Sequence, residues 1–74
     1  VKQTKIQIYP NPAKDIVNVK TDDLIKSIEI YDSLGRIIKS EVSKTLNITE
    51  LDKGIYFLKV KTASGGSIEK IIKE

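Results

Sequence analysis

The 74-residue chain contains no cysteine, no histidine, no tryptophan and no methionine. Without cysteine and histidine it can form no disulfide, no Cys/His zinc site and neither of the common histidine-dependent nucleophile arrangements. The lack of cysteine is compatible with either side of a membrane. No apolar run approaches the ~20 residues of a membrane-spanning helix, and no signal peptide opens the sequence. We therefore expect no direct membrane insertion.

An enzyme built on this chain would have to depend on carboxylates. A single core of this size is only marginally stabilising, so we expect almost every apolar residue to pack and no deep pocket to form. Aspartate is favoured in turns for local backbone hydrogen bonds, which explains the candidates Asp15, Asp22, Asp23, Asp32 and Asp52. Asp22, Asp23 and Asp32 also lack the spacing of a calcium loop. The sequence thus predicts no catalysis, no metal and no cofactor.

The net charge of +3 arises from 13 basic and 10 acidic residues, and the lysines are scattered from Lys2 to Lys73. A nucleic-acid site favours clustered arginines with exposed aromatic side chains. This chain has one arginine, one phenylalanine and three tyrosines. We interpret the lysines as a solvated surface and expect no nucleic-acid partner.

Hydrophobic residues alternate with polar ones along most of the chain, which is typical of half-buried strands. The alternating positions are Ile6 and Ile8, Val17 and Val19, Ile28 and Ile30, Leu46 and Ile48, and Tyr56, Leu58 and Val60. Turn residues divide the chain into strands at about 4–9, 15–20, 25–31, 36–42, 45–48, 55–62 and 67–73. A single sheet would leave one apolar face in water. The sequence therefore predicts an all-β, immunoglobulin-like β-sandwich of about seven short antiparallel strands.

Three segments are predicted to turn the chain. Pro10-Asn11-Pro12 removes two backbone donors and ends the first strand. Asp32-Ser33-Leu34-Gly35 indicates a type I turn with its glycine in the left-handed region, and Ser64-Gly65-Gly66 is predicted to form the last turn.

Leu51-Asp52-Lys53-Gly54-Ile55-Tyr56 has the pattern of a tyrosine corner, in which the phenol hydroxyl bonds backbone a few residues upstream. Here we expect Thr49 to cap a short helical turn and Gly54 to end it with a positive φ. Tyr56 then locks the crossover between the sheets, a structural role that we favour over ligand binding.

Four segments stand in a characteristic order over nearly the whole chain: Ile8-Tyr9-Pro10-Asn11-Pro12-Ala13, Ile28-Glu29-Ile30-Tyr31-Asp32-Ser33-Leu34-Gly35-Arg36, Leu51-Asp52-Lys53-Gly54-Ile55-Tyr56 and Lys70-Ile71-Ile72-Lys73. Each alone occurs in many proteins. Together they resemble the type A C-terminal sorting domain of the type IX, or Por, secretion system of Bacteroidetes. The one departure is Glu74, which follows the final lysine.

The resemblance implies a non-catalytic sorting signal that directs an exported cargo protein through the type IX system. The implied partners are the translocon and its shuttle components, an upstream cargo domain, and a sortase-like peptidase that removes the domain. The cargo would cross the periplasm and be secreted or held at the outer-membrane surface. Residues 1–4 are then expected to end a linker and residues 5–74 to form the sorting domain. A start at Val1, without an initiating methionine, fits a fragment of a longer protein.

Carried over residue by residue, the resemblance assigns partner recognition to Pro10, Asn11, Pro12, Gly35, Gly54, Tyr56, Lys70, Ile71, Ile72 and Lys73. Fixed φ angles make Pro10-Asn11-Pro12 a rigid loop that costs little entropy to present, although it could simply end a strand. Lys70 and Lys73 could offer charge to an acidic translocon or shuttle protein while the strand edge pairs with a partner strand. Alternatively, these lysines only keep an edge soluble.

A stand-alone immunoglobulin-like binding or adhesion module, with a carbohydrate or protein ligand, is the alternative function. Sugar binders usually expose aromatic platforms, and here only Tyr9 and Tyr31 are tyrosines outside the corner. Exposed strand edges also make a dimer possible in isolation.

Overall fold

A computed structural model describes residues 6–74 as seven β-strands, and this part of the chain contains no helix that could span a membrane. The strands are β1 Ile6–Tyr9, β2 Ile16–Thr21, β3 Ile25–Tyr31, β4 Ile37–Glu41, β5 Thr45–Asn47, β6 Gly54–Thr62 and β7 Gly65–Lys73. All seven strands are found, and every predicted bound that falls on described residues is met within two residues. The predicted linker, residues 1–4, and the first two residues of the first predicted strand lie outside the described residues.

The strands form two antiparallel sheets. One has the order β1-β2-β5 and the other β4-β3-β6-β7. The pairs β2–β5 and β3–β6 join strands that are not consecutive in the chain, so the backbone crosses between the sheets. Each sheet buries one face against the other, as the period-two pattern requires. The predicted all-β sandwich is confirmed.

The core lies between the sheets and consists mainly of the residues whose alternation predicted the strands. Its fully buried large side chains are Val17 and Leu46 from the three-stranded sheet, Ile28, Ile30, Leu58, Val60 and Ile71 from the four-stranded sheet, and Ile48 after β5. Ile6, Ile8 and Leu51 are partly buried against this cluster. Burying each such side chain is worth about 1.5–3 kcal/mol of transfer free energy.

The predicted tyrosine corner is present, which makes the sandwich immunoglobulin-like. The Tyr56 hydroxyl donates to the Asp52 carbonyl at 2.7 Å, and Gly54 has φ +151°. The helical turn expected before it is absent. Instead the Leu51 N–H donates to the Ile48 carbonyl at 3.0 Å, and Asn47 rather than Thr49 supplies the side-chain acceptor. The chain thus makes a single hydrogen-bonded turn over residues 48–51, which starts at the buried Ile48 and does not continue as a helix.

Of the two other predicted turns, the one at residues 32–35 is confirmed and the one at residues 64–66 lies elsewhere. Gly35 has φ +85° and its N–H donates to the Asp32 carbonyl at 3.0 Å, which confirms the left-handed glycine. The last turn is Ala63-Ser64 rather than Ser64-Gly65-Gly66, because Gly65 already pairs with Thr62 as the first residue of β7. The long hairpin β6–β7 is therefore closed by a two-residue turn.

Candidate recognition site at the carboxyl-terminal strand

The Pro10-Asn11-Pro12 loop follows β1 and projects from one end of the sandwich. All three residues are exposed, and the Tyr9–Pro10 and Asn11–Pro12 peptide bonds are both cis. The next residue, Ala13, is fully buried. The loop is thus a rigid exposed segment anchored directly by the core.

Asn11 fastens this loop to β7 with its side-chain amide. Its Nδ2 donates to the Lys70 carbonyl at 3.0 Å, and its Oδ1 accepts from the Ile72 N–H at 3.1 Å. The amide therefore satisfies two outward-pointing backbone groups of an edge strand, as a neighbouring strand would. We call this pair of hydrogen bonds the Asn11 clamp.

Ala13 continues the pairing that the Asn11 clamp begins. Its N–H donates to the Ile72 carbonyl at 2.8 Å, and its carbonyl accepts from the Glu74 N–H at 2.8 Å. The chain thus moves from the three-stranded sheet to the edge of the other sheet, where Ala13 forms a parallel bridge with Lys73. The edge expected to be free for a partner strand is therefore occupied over residues 70–74.

The four predicted recognition residues of β7 have different surroundings. Lys70 is exposed and, within residues 6–74, forms no ion pair. Ile72 is 40% exposed, whereas Ile71 is fully buried in the core. Lys73 is half-buried, and its Nζ donates to the Glu74 carbonyl at 3.0 Å. Alternation along the strand directs the Ile71 side chain inward, so only its backbone is available to a partner, and its predicted recognition role stays a prediction.

Gly54 and Tyr56 lie beside this segment on β6. Gly54 pairs with Lys73 and Tyr56 pairs with Ile71. Tyr56 is only 8% exposed and its hydroxyl is already bonded to the Asp52 carbonyl, so its side chain packs beneath β7, and its predicted recognition role stays a prediction. The tyrosine corner and the Asn11 clamp thus act on opposite sides of the same terminal residues.

Gly35 lies at the same end of the sandwich but away from β7, since β3 and β6 separate its turn from the terminal strand. The turn is rigid. The Asp32 carboxylate accepts from the Arg36 and Leu34 N–H groups, each at 2.9 Å, and pairs with Arg36 Nε at 2.8 Å. These contacts, above all the Arg36 N–H, hold the pKa of Asp32 below its usual range.

A shallow groove runs beside the loop, lined by Pro10, Pro12, Ile16, Lys14, Asp15 and Glu74 among others. Sequence reasoning missed Ala13 and Glu74, because a single small residue and a terminal acid carry no pairing signal of their own. No cluster of three acidic side chains that could hold a metal ion occurs in the described part of the chain. The described residues of this site thus form an exposed loop, an edge strand and a shallow groove between charged and apolar side chains.

Comparison with known proteins shows the family to which the chain belongs. A family model described as the secretion system C-terminal sorting domain matches residues 7–74. Beta-agarase D of Zobellia galactanivorans is 30% identical over 70 residues, which cover 92% of this chain and 14% of that protein. Beta-agarase A of the same organism is 38% identical over 63 residues, or 77% of this chain and 12% of that protein. The chain thus spans a small fraction of the curated relatives it matches.

Proposed function

Because the chain belongs to the C-terminal sorting domain family of the type IX secretion system, and is a sorting signal, we propose that residues 10–12 and 70–73 form the surface that the translocon or its shuttle component reads. The Asn11 clamp carries this proposal. It joins two segments 59 residues apart into one surface, and both belong to the motifs that mark the family.

This surface combines shape with charge. Pro10 and Pro12 are exposed on a loop whose φ angles are fixed, so presenting them to a partner costs little conformational entropy. Lys70 adds an exposed cation beside them, which suits an acidic receptor surface. We propose that the receptor recognises the folded end of the sandwich rather than an extended peptide.

The remaining partners follow from the same role. We propose that the module stands behind an upstream cargo domain, passes the periplasm with it, and is removed by a sortase-like peptidase in the segment before β1. The cargo is then secreted or held at the outer-membrane surface. The agarase activities in the relatives' names belong to proteins of which this chain covers 14% and 12%, and we propose that the module itself has no catalysis.

An export assay tests the surface. The chain is fused behind a reporter carrying an ordinary export signal and expressed in a Bacteroidetes host with and without a working type IX translocon. We expect extracellular reporter only with the translocon, and a strong loss of export for Asn11→Ala and for deletion of residues 70–74. Asn47→Ala is the matched control, because the Asn47 side chain also bonds backbone but does so within its own turn, at the Thr49 N–H, and not at β7.

Two outcomes would contradict the proposal. Reporter retained in the cells by the unmodified fusion would mean that the module is not a sufficient signal, and the stand-alone binding module would be tested next. Normal export of both Asn11→Ala and the deletion would leave the sorting role intact but move the recognition surface elsewhere. Circular dichroism of each purified variant verifies that the sandwich is still folded.

A further inference from the structure

The outer side of the four-stranded sheet has an unusual composition for a face in water. Side chains alternate across a strand, so the residues next to the buried ones point away from the core. We call this surface the outer sheet face. It comprises Glu29 and Tyr31 of β3, Ile55, Phe57, Lys59 and Lys61 of β6, and Ile68, Lys70 and Ile72 of β7.

The end of this face nearest the candidate recognition site is apolar. Ile55 pairs with Ile72, and they are 46% and 40% exposed. In the next row Phe57 pairs with Tyr31, which in turn pairs with the exposed Ile37 of β4. The solvent face of an antiparallel sheet is normally polar. Aromatic and aliphatic side chains that adjoin in this way mark a contact surface.

Three lysines adjoin these apolar side chains: Lys70 lies beside Phe57, and beyond that row Lys59 lies beside Ile68. Lys70, Lys59 and Lys61 occupy successive rows, and none of them forms an ion pair with another described residue. Glu29 is the one acidic side chain on the outer sheet face as defined, and its carboxylate accepts from the Tyr31 hydroxyl at 3.0 Å. The apolar side chains are therefore next to lysines whose charges no acidic side chain in the described part of the molecule neutralises.

The charges on the outer sheet face indicate which kind of protein surface can bind there. Two copies packed face to face would bring six lysines together with two glutamates, each already bonded to tyrosine, so self-association would be repelled. A protein surface with carboxylates around an apolar centre would neutralise the lysines and cover the apolar rows. We propose that the outer sheet face is a docking surface for such an acidic, partly apolar surface of a different protein.

This inference goes beyond sorting through residues 10–12 and 70–73, because it concerns β3 and β6 as well. It is tested in cells that express the exported reporter fusion. A photoreactive phenylalanine analogue is placed at position 55 of the outer sheet face or, as a control, at position 7, an exposed position on the other sheet. We expect a cross-link to one protein from position 55 and none from position 7.

Charge variants then decide whether the contact is electrostatic. Lys59→Glu with Lys61→Glu should lower the cross-link yield by at least about tenfold, since placing like charges together costs more than the 1.4 kcal/mol that corresponds to tenfold. Lys59→Arg with Lys61→Arg should retain it. Reversal of the exposed Lys20 of β2 and Lys44, which directly precedes β5, controls for net charge. Lys59→Gln with Lys61→Gln replaces the glutamate pair if that variant fails to fold.

The results separate this inference from the sorting proposal. A cross-link to a second copy or to lipid, no cross-link, or a yield unaffected by charge reversal overturns the docking surface, even if the fusion is exported. A charge-dependent cross-link to a different protein supports it, even if Asn11→Ala is exported normally.

Discussion

The tyrosine corner and the Asn11 clamp both fasten a loop to the sandwich by hydrogen bonds from a side chain to backbone. The Tyr56 hydroxyl reaches the Asp52 carbonyl, four residues away. The Asn11 amide reaches Lys70 and Ile72, at separations of 59 and 61 residues. The first is a local contact and the second depends on the completed fold.

Their surroundings differ as much as their range. Tyr56 is nearly buried, so water cannot readily replace its bond to Asp52, whereas Asn11 is exposed and water can. An unsatisfied group costs most where water is excluded. The comparison suggests that the corner contributes mainly to the stability of the whole sandwich, and the clamp mainly to the position of its last residues. Each of the following experiments tests one side of that comparison.

Ile71→Ala should have the largest effect. Ile71 is the fully buried side chain of β7 and pairs with Tyr56, so it lies where the corner and the clamp act on the same strand. Removing it should lower the free energy of unfolding by about 2–5 kcal/mol. Urea denaturation measures the loss. Ile68→Ala is the matched control on the same strand, because Ile68 is 64% exposed, and equal losses for both variants would contradict the assignment.

Tyr56→Phe should come next. The ring still fills the core, but the Asp52 carbonyl loses its 2.7 Å donor, at a cost of about 1–3 kcal/mol in unfolding free energy. Tyr31→Phe is the control, since that hydroxyl bonds the Glu29 side chain on the outer surface. If the two variants unfold at the same urea concentration, the corner is no more important than a surface hydrogen bond.

Asn11→Ala removes two hydrogen bonds, each of which contributes about 0.5–1.5 kcal/mol to the unfolding free energy. Because Asn11 is exposed, we expect the loss to lie at the lower end of that range. The effect of Asn11→Ala should be clearer in hydrogen exchange at β7 than in overall stability. The Ile72 N–H loses its acceptor and should exchange with deuterium faster, whereas amides of β3 should not. Uniform acceleration in all strands would show that the clamp supports the whole fold and would remove the contrast with the corner.

Asn11→Asp sharpens this result with a single atom change. The carboxylate still accepts from the Ile72 N–H but cannot donate to the Lys70 carbonyl. Protonation below about pH 4 restores one donor. Exchange at Ile72 should therefore slow relative to Asn11→Ala as the pH falls, and identical pH profiles of the two variants would argue against the clamp geometry.

Acid should have the smallest effect, because the hydrogen bonds of the corner and of the clamp are formed by a phenol, an amide and backbone groups, and by no carboxyl group. It acts instead on turns at opposite ends of the sandwich. Hydrogen bonds from Ser64 lower the pKa of Asp23, and the Arg36 N–H is the main cause that lowers the pKa of Asp32. Each stabilisation is complete above the unfolded pKa of about 3.9 and is lost as the pH falls through the lower folded value.

The expected result is a modest decline in unfolding free energy below about pH 4, where the unfolded chain binds more protons. The double variant Asp23→Asn with Asp32→Asn should flatten the decline in urea titrations between pH 5 and pH 2. A decline of equal size in the double variant would place the acid sensitivity on other carboxyls.

Sequence reasoning predicted the strands well because their signal is local. Alternation alone predicts a strand at Ile28 and Ile30 and another at Leu58 and Val60. All four side chains are buried. Sequence reasoning did not predict the features that depend on how the strands pair. Gly65 belongs to β7 because Thr62 pairs with it, and Ile71 is inaccessible because its strand turns that side chain inward. Neither fact can be read from the residues without knowing the partner strand.

The sequence by itself determined the seven strands, the left-handed Gly35 and the tyrosine corner, since each depends on residues within one turn or one strand. It also carried the motifs of the sorting family. Only the tertiary structure decided that residues 10–12 lie against residues 70–74, and that lysines and apolar residues from three strands share the outer sheet face. Those arrangements depend on register and crossover between distant segments, and a hydrogen bond such as that of Asn11 to Ile72 forms only after the sandwich has brought both ends of the chain together.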